Sequence, residues 1–398
     1  MLNITEIKKY ILLIWIIIAS GVWTIKFSST MIIFINFVLA IVMLIVLFSR
    51  GILRKSFLLF IISIGLIFLM IFNFDIVSWM SYAFIICFCI MGMYICTFWK
   101  KGEFLDKYTN IIFIIALVSL VMYIFRGYLA TKQGGFPVIN GQSISYTNFY
   151  IYLYCRELPD RNCGIFWEPG AYAVFISIAL YNTLINNEKN KKFKLLVFII
   201  TLFTTQSTLA YTIILFSILL YLLKNNVNTV GYIKKIFIGI LILIIVLLIM
   251  NELGAFQNIQ EKLFSGLQTN ASSRARNVAQ LIDLDIIVKH PFTGVGFSEY
   301  LKYVNSIGSI YGQNWTMAAN TFTFMGAVFG LPYLIIVGYG LSKIHPNNSS
   351  KFFNLVSILF WIWLFVSQNF MQKPILYCLI FLGYKLKSVK DMEVKIYE

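Results

Sequence analysis

Runs of Ile, Leu, Phe and Val recur along the whole chain, continuous rather than alternating, and each is near the length that crosses a bilayer. A helix needs roughly 17–25 apolar residues for that, and a lipid-spanning strand would show a period of two that these runs lack. They predict spans near 10–26, 30–48, 56–73, 79–99, 110–128, 167–185, 194–208, 209–223, 236–250, 318–340, 352–370 and 374–384. The stretch KLLVFIITLFTTQSTLAYTIILFSILLYLLK reads either as one long span or as two short ones. The polar TTQST in its middle favours a short helix up and another back down. Tyr10 to Ile25 follows Lys8 and Lys9 as a signal peptide would. With no convincing small-residue cleavage site and further spans at once, it is read as a retained first helix.

Charge decides between the two counts. With twelve spans and both ends inside, the cytoplasmic segments hold Lys8 and Lys9, Arg50, Arg54 and Lys55, the cluster from Lys100 to Lys107, that from Lys189 to Lys194, Lys224, Lys234 and Lys235, Lys343 and Lys351, and the tail from Lys385 to Lys395. That is about two thirds of the basic residues, as the positive-inside rule asks; eleven spans would turn the Lys-rich tail outward. Composition agrees: 60% hydrophobic and 12% charged, with a mean hydropathy of +0.83, leaves too little polar surface for a soluble fold of 398 residues. The net charge of +16 then belongs to loops between helices, and no soluble basic domain is present to carry it to nucleic acid.

The expected fold is therefore all-α, a polytopic integral membrane protein of about 12 transmembrane helices. Two long external, periplasmic loops stand apart, 130–166 and 251–317. The chain divides into N-terminal helices over 1–128, a core with both loops over 129–340, and C-terminal helices with a basic cytoplasmic tail over 341–398. Both loops mix Trp, Tyr, Phe and Gly with charge, which is not a disordered composition. Short helices lying over the outer face are expected in both. SSRARNVAQLIDLDIIVKH, Ser272 to His290, is one, with Ser272 or Ser273 as N-cap and Val278, Leu281, Ile282, Leu284 and Ile287 at helical spacing.

Candidate chemistry gathers in these loops. In YCRELPDRNCGIFWEPGAYAVF, Gly164 permits a turn, Pro169 suits the first turn of a helix, and Glu168 sits at its N-cap, near the positive end of the dipole. Glu168 either caps that helix while Arg161 reaches lipid headgroups, or the pair serves chemistry, since charge at a membrane boundary is costly unless used. The second loop adds Arg274 and Arg276, then KHPFTGVGFSEY with Gly294 and Gly296. Arginine suits bidentate phosphate binding, and glycine lets backbone N–H groups approach an anion. Arginines from both loops would make a diphosphate clamp; a solvated helix start is the plainer account of Arg274 and Arg276. His290 precedes a proline and reads first as structural. Two distant histidines and no acidic cluster argue against a metal site, and neither a Walker loop nor a dinucleotide fingerprint occurs. Cys87, Cys89, Cys96 and Cys378 read as buried apolar residues, while Cys155 and Cys163, eight positions apart, could form a disulfide if their loop faces an oxidising compartment, a point the sequence leaves open.

The order of these motifs resembles a known superfamily. RNCGIFWEPG at a membrane boundary, TTQST after the next span, then SSRARN, HPFTGVG and ANTFTFMGAVFGLPY are similar to the O-antigen polymerase and ligase superfamily, over residues of about 110–340. The resemblance implies a Wzy-type polymerase in the bacterial inner membrane with a periplasm-facing site. Such an enzyme moves a growing glycan from undecaprenyl diphosphate onto the next lipid-linked repeat unit, of O-antigen or capsule. It implies an undecaprenyl-diphosphate-linked oligosaccharide and membrane lipid as partners, a chain-length regulator, and no cofactor. Ligases of the superfamily carry a His, then Asn, Ser or Gln, nine residues and a Gly. Here Asn320 and Gly330 keep the spacing but Ala319 holds the His position, which favours the polymerase over the ligase. On this reading Arg161, Arg274 and Arg276 balance the leaving group's charge and Glu168 is the first candidate for base. Gly164, His290, Gly294, Gly296 and Asn320 are the substrate contacts. Trp167, Tyr172, Tyr300, Tyr303, Tyr311 and Trp315 could stack on sugars, though an interfacial aromatic belt accounts for them as well. A lipid-linked oligosaccharide flippase is the rival of another class; it should line mid-bundle with charge and keep its external loops short.

Overall fold

The computed structural model describes residues 4–25, 29–49, 57–140, 144–186, 190–224, 271–310, 320–344 and 351–385. Within them the chain is mostly helical. Helices α1 (Ile4–Ala19), α2 (Ser29–Ser49), α3 (Phe57–Ile71), α4 (Trp79–Phe98) and α5 (Lys101–Ile124) precede a short α6 (Arg126–Thr131) and strands β1 (Val138–Asn140), β2 (Ser145–Asn148) and β3 (Leu153–Cys155). Then come α7 (Pro169–Ile185), α8 (Lys191–Thr205), α9 (Thr208–Leu223), α10 (Ala271–Lys289), α11 (Gly296–Ile310), α12 (Thr321–Phe329), α13 (Leu331–Ser342), α14 (Lys351–Val366) and α15 (Pro374–Tyr384). Three segments, Thr30–Ser49, Trp79–Phe98 and Lys101–Ile124, are long and apolar enough to cross a membrane, and six further apolar helices are shorter. Large apolar side chains face outward on α2 and α3, among them Phe34, Ile45, Phe48, Phe68 and Ile71. A helical membrane protein accounts for such faces, which water would penalise. The expected span at 236–250 lies outside the described residues.

α7 is the centre. Every residue from Pro169 to Leu184 is buried, as befits a helix apolar on all sides. Ala171, Ala173, Ser177 and Ala179 keep it slim, so that α5, α8 and α9 pack closely on it. Phe166, Phe175 and Phe370 stack at its start, the first two with ring centroids 4.1 Å apart.

Polar contacts sort the connections into two ends. At one, Lys9 pairs with Glu103 and Lys107 with Glu6, joining the starts of α1 and α5. Lysines also close helix C-termini there. Lys101 Nζ donates to Lys343 O (2.7 Å), Lys385 Nζ to Trp99 O (2.6 Å), and Lys191 and Lys224 both to Leu184 O (2.8 and 2.9 Å). The last two set the direction of α8 and α9. The start of one and the residue after the other meet at the same carbonyl, so the pair is an antiparallel hairpin. Its tip, Gln206–Ser207, falls inside TTQST, where Gln206 turns the chain with φ +46°. The two-helix reading of this stretch thus holds.

At the opposite end lies the sheet, which the sequence reading did not anticipate: short helices were expected there. Strands β1, β2 and β3 form an antiparallel meander with Ile139 opposite Tyr146 and Tyr146 opposite Cys155. Asn148 Oδ1 accepts the Tyr150 N–H (2.8 Å) in the β2–β3 turn, a side-chain turn that short β-prone segments need. The sheet packs through Tyr146, Leu153, Cys155 and Cys163 against Trp23, Ile139 and Ile144. Cys155 and Cys163 are buried free thiols here, with no bond between them; Cys163 Sγ donates to Leu153 O (3.1 Å).

Two further expectations change. The 318–340 stretch is not one helix. It breaks at Gly330 (φ +84°, ψ 171°), where a Cβ would collide with Phe292 O and where Leu331 N donates to Pro291 O (2.7 Å). On α10 the buried face is Val278, Ala279, Ile282, Asp283 and Ile286, while Leu281 and Leu284 point outward. The apolar periodicity had placed those two leucines inside. The helix turns instead to give Asp283 two hydroxyl partners, Tyr300 Oη (2.8 Å) and Thr323 Oγ1.

Candidate functional site

The segment from Arg161 to Gly170 is built around Asn162, which is fully buried. Its N–H donates to Thr204 O (2.9 Å), its Nδ2 to Thr204 Oγ1 (3.0 Å) and Ser119 Oγ (3.3 Å), and its Oδ1 accepts the Gly164 N–H (2.9 Å). One side chain thus ties the segment to the hairpin tip and to α5. Gly164 then turns with φ +56°, where a Cβ would stand 2.9 Å from the Tyr172 ring, and its carbonyl accepts the Leu153 N–H of β3 (2.7 Å). Gly164 is a packing turn that hangs the sheet over the start of α7.

Arg161 is half-buried and its Nε donates to Thr205 O (3.3 Å). It therefore sits at the C-terminus of α8, where the helix dipole favours a cation. Glu168 is the N-cap residue of α7, with extended backbone, and its carbonyl accepts the Tyr172 N–H (3.1 Å); Pro169 opens the helix. The Glu168 carboxylate makes no side-chain cap bond to that first turn, so capping does not consume it. Tyr146 of β2 feels both groups. Burial raises its phenol above the ordinary range, the neighbouring Cys163 and Cys155 and the Glu168 carboxylate add to that, and Arg161 opposes it. Arg161 and Glu168 thus both act on Tyr146 from the segment that leads into α7.

Three helix starts meet beside it. Gln368 lies over the first turn of α7, where a Cβ on Gly170 would collide with its amide, and its carbonyl accepts Thr321 Oγ1–H (2.7 Å) and the Thr321 N–H (3.2 Å) at the start of α12. Asn320, buried, caps α12 by accepting the Thr323 N–H (2.8 Å). Its oxygen thus has a structural job, beside whatever its amide contacts. Lys373, the residue before α15, holds its Nζ 4.9 Å from the Trp167 ring centre. Burial pushes its amine down to about 8.

The second loop's residues stand elsewhere. His290, exposed, ends α10, and its carbonyl accepts the Gly294 N–H (3.1 Å). Gly294 (φ +66°) packs on the backbone at Val328–Phe329 and Gly296 (φ +76°) on Asn73 O, where a Cβ would come within 2.6 Å. The amides read as an open anion cradle are in use. Val295 N donates to Ala327 O (2.9 Å), Phe297 N to Tyr82 Oη (3.4 Å) and Ser298 N to Asp75 Oδ2 (3.4 Å). The anion at the start of α11 is Asp75 itself. Burial raises its carboxyl, but bonds from Ser78 and Ser298 outweigh that and hold it below the ordinary range. These glycines therefore form a joint between the α3–α4 turn and α11. The joint meets α12 at Val328, eight residues past Asn320 and about 12 Å along the helix. Arg274 and Arg276 fall within the first turns of α10, and their side chains lie outside the described residues, as do Ala319, Tyr311 and Trp315.

Sequence reasoning passed over Asn162, Gln368, Lys373 and Asp283. Lys373 carried a signal: a lone cation before a proline, between two apolar runs, is costly at a membrane boundary. Among the described residues no cluster of three or more His, Cys, Asp or Glu could hold a metal ion. No protein-family model matches the chain, and no curated protein matches it.

Proposed function

We propose that the chain is a polysaccharide polymerase that transfers a growing glycan from undecaprenyl diphosphate onto the next lipid-linked repeat unit. The observation that carries this reading is that an arginine and a carboxylate both act on Tyr146 of one small sheet, at a single end of a helical bundle. The RNCGIFWEPG segment supplies both groups, and the superfamily resemblance rests largely on that segment. In the reaction, an acceptor sugar hydroxyl attacks the anomeric carbon of the donor. The bond from that carbon to the diphosphate oxygen breaks, and the diphosphate departs with the electron pair. Glu168 takes the hydroxyl proton, and Arg161, with Arg274 and Arg276 from α10, balances the charge that develops on the leaving group. A well-aimed donor of this kind is typically worth about 2.7–4 kcal/mol in the transition state.

Twelve spans with both ends in the cytoplasm, and both long loops in the periplasm of a bacterial inner membrane, belong to the same proposal. The sorting of contacts into a lysine-closed end and a sheet-covered end supports it. The flippase reading gains nothing comparable, since α2, α3, α4, α7, α9, α12, α13 and α15 carry no charged residue at all. The test is surface-polysaccharide length on a gel, comparing a strain that lacks the chain with strains complemented by wild type, Glu168→Gln or Arg161→Ala. The proposal expects a single repeat unit on its acceptor without the chain, a ladder with wild type, and no ladder with either variant although both insert. If the deletion leaves no repeat unit on the acceptor, the polymerase reading falls.

A further inference from the structure

We infer that Lys373 is a substrate-binding cation of the same site, receiving the diphosphate of the lipid-linked donor beside Trp167. The inference rests on the polymerase reading for the identity of the anion, while Lys373 itself lies outside the motifs behind that reading. Lys373 Nζ stands over the Trp167 ring at 4.9 Å, and among the described residues no carboxylate pairs with it. Trp167 is the residue before Glu168, and its ring also meets Phe370 at 5.6 Å, so the 368–373 turn is fastened to the WEPG segment. Behind the lysine, Ile375 N donates to Ser20 Oγ (3.0 Å), which fixes the start of α15 against the end of α1. The cation is thus held over the ring of the residue that precedes Glu168. Its apolar neighbours could have been served by Leu or Met at lower cost. A half-buried ammonium facing only an aromatic ring leaves its N–H donors unspent, and a charge-assisted bond to a phosphoryl oxygen is what they suit.

The setting also fixes how binding responds to pH. Among the described residues no charged group shifts the Lys373 amine; burial alone does so. With the amine pushed down to about 8, the empty protein loses this charge within the range where enzymes are assayed. Anion affinity should then fall about tenfold between pH 7 and pH 9. An arginine at the same place stays charged throughout and removes the decline.

The experiment is calorimetric titration of the purified full-length protein in detergent with undecaprenyl diphosphate, and separately with inorganic diphosphate, at pH 7 and pH 9. Wild type, Lys373→Gln and Lys373→Arg are compared. We expect wild type to bind the lipid at pH 7 and to weaken about tenfold at pH 9. Lys373→Gln should bind about tenfold more weakly than wild type at pH 7 and nearly as wild type does at pH 9, and Lys373→Arg should bind with little change between them, which also controls for titration of the ligand itself. Binding of inorganic diphosphate with the same pattern would assign the phosphoryl groups, rather than the lipid tail, to the lysine. If wild type binds and Lys373→Gln binds equally well, the lysine is not a ligand and the polymerase reading is untouched. If wild type binds neither probe, that reading and this assignment both fall. The arginine variant separates a binding role from a packing role, since a merely structural lysine would not move the pH profile.

Discussion

Replacing Asn162 by alanine tests whether the site is held by its own side chains. The substitution removes bonds to Thr204 Oγ1 at 3.0 Å and Ser119 Oγ at 3.3 Å, and strips the Gly164 N–H of its acceptor at 2.9 Å. Thr204 and Ser119 keep other partners: Thr204 Oγ1 donates to Thr201 O (2.7 Å), and Ser119 Oγ bonds Tyr172 Oη (2.7 Å). Their losses are therefore ordinary ones of about 0.5–1.5 kcal/mol for the shorter bond and less for the longer. The buried Gly164 amide is left without its acceptor, which adds about 1–3 kcal/mol, for a total near 3 kcal/mol. Chemical unfolding of the purified protein in detergent measures this. A double-mutant cycle with Thr204→Val should give a coupling of about 1 kcal/mol, because valine keeps the shape of Thr204 and deletes its hydroxyl. A total cost under about 0.5 kcal/mol, or strict additivity with Thr204→Val, would refute the account of Asn162 as the pin of this segment.

Gly330→Ala should be severe, because the residue holds φ +84° and a Cβ there meets the Phe292 carbonyl; strained backbone alone costs about 1–3 kcal/mol, and a melt indistinguishable from wild type would contradict the break between α12 and α13. The Asp283 carboxyl is pushed up to about 6 by burial, against the bonds from Thr323 and Tyr300. A raised folded-state value means that stability is fully present below the ordinary carboxyl range and is lost as pH rises through about 6. Hydrogen exchange in α10, corrected for its intrinsic rate, should therefore be slower at pH 5 than at pH 7. Asp283→Asn should abolish that difference, and an unchanged pH step in the asparagine variant would reject the assignment.

How much of this was legible in the sequence depends on what each residue's conformation answers to. The α8–α9 hairpin was readable because TTQST breaks the apolar run locally, and polar side chains inside a span announce themselves. Pro169 was equally plain, since proline has a fixed place at a helix start. The sheet was not, because VIN, SYTN and LYC are three or four residues each and owe their pairing to one another rather than to any periodicity. The face of α10 was misread for a similar reason. Leu281 and Leu284 fit an apolar stripe, but the buried hydroxyls of Tyr300 and Thr323 outbid them by offering Asp283 partners from distant segments. Gly294 and Gly296 were recognised as positions of close approach, yet what approaches is backbone and the Asn73 carbonyl. A sequence shows that a glycine makes room; it does not show for whom. Lys373 and Gln368 were passed over because their neighbours come from the segment before α7, from α7 itself and from α12, all far from them in the chain.

The lysines that donate to Leu184 O, Trp99 O and Lys343 O carry a consequence for how such a chain is made. Cations flanking apolar helices orient them during insertion. Here the same ammonium groups later close the C-termini of α4, α7 and α13. On the proposed topology one set of residues thus serves both as an address read by the insertion machinery and as mortar in the finished bundle. Exchanging Lys385 or Lys191 for a glutamate would do two separable kinds of harm, one to orientation and one to helix ends. Exchange for a glutamine would remove the orienting charge too but keep an N–H donor for the carbonyl, so it would do mainly the first, and on the proposed topology drift at these positions is checked twice, once at birth and once after folding.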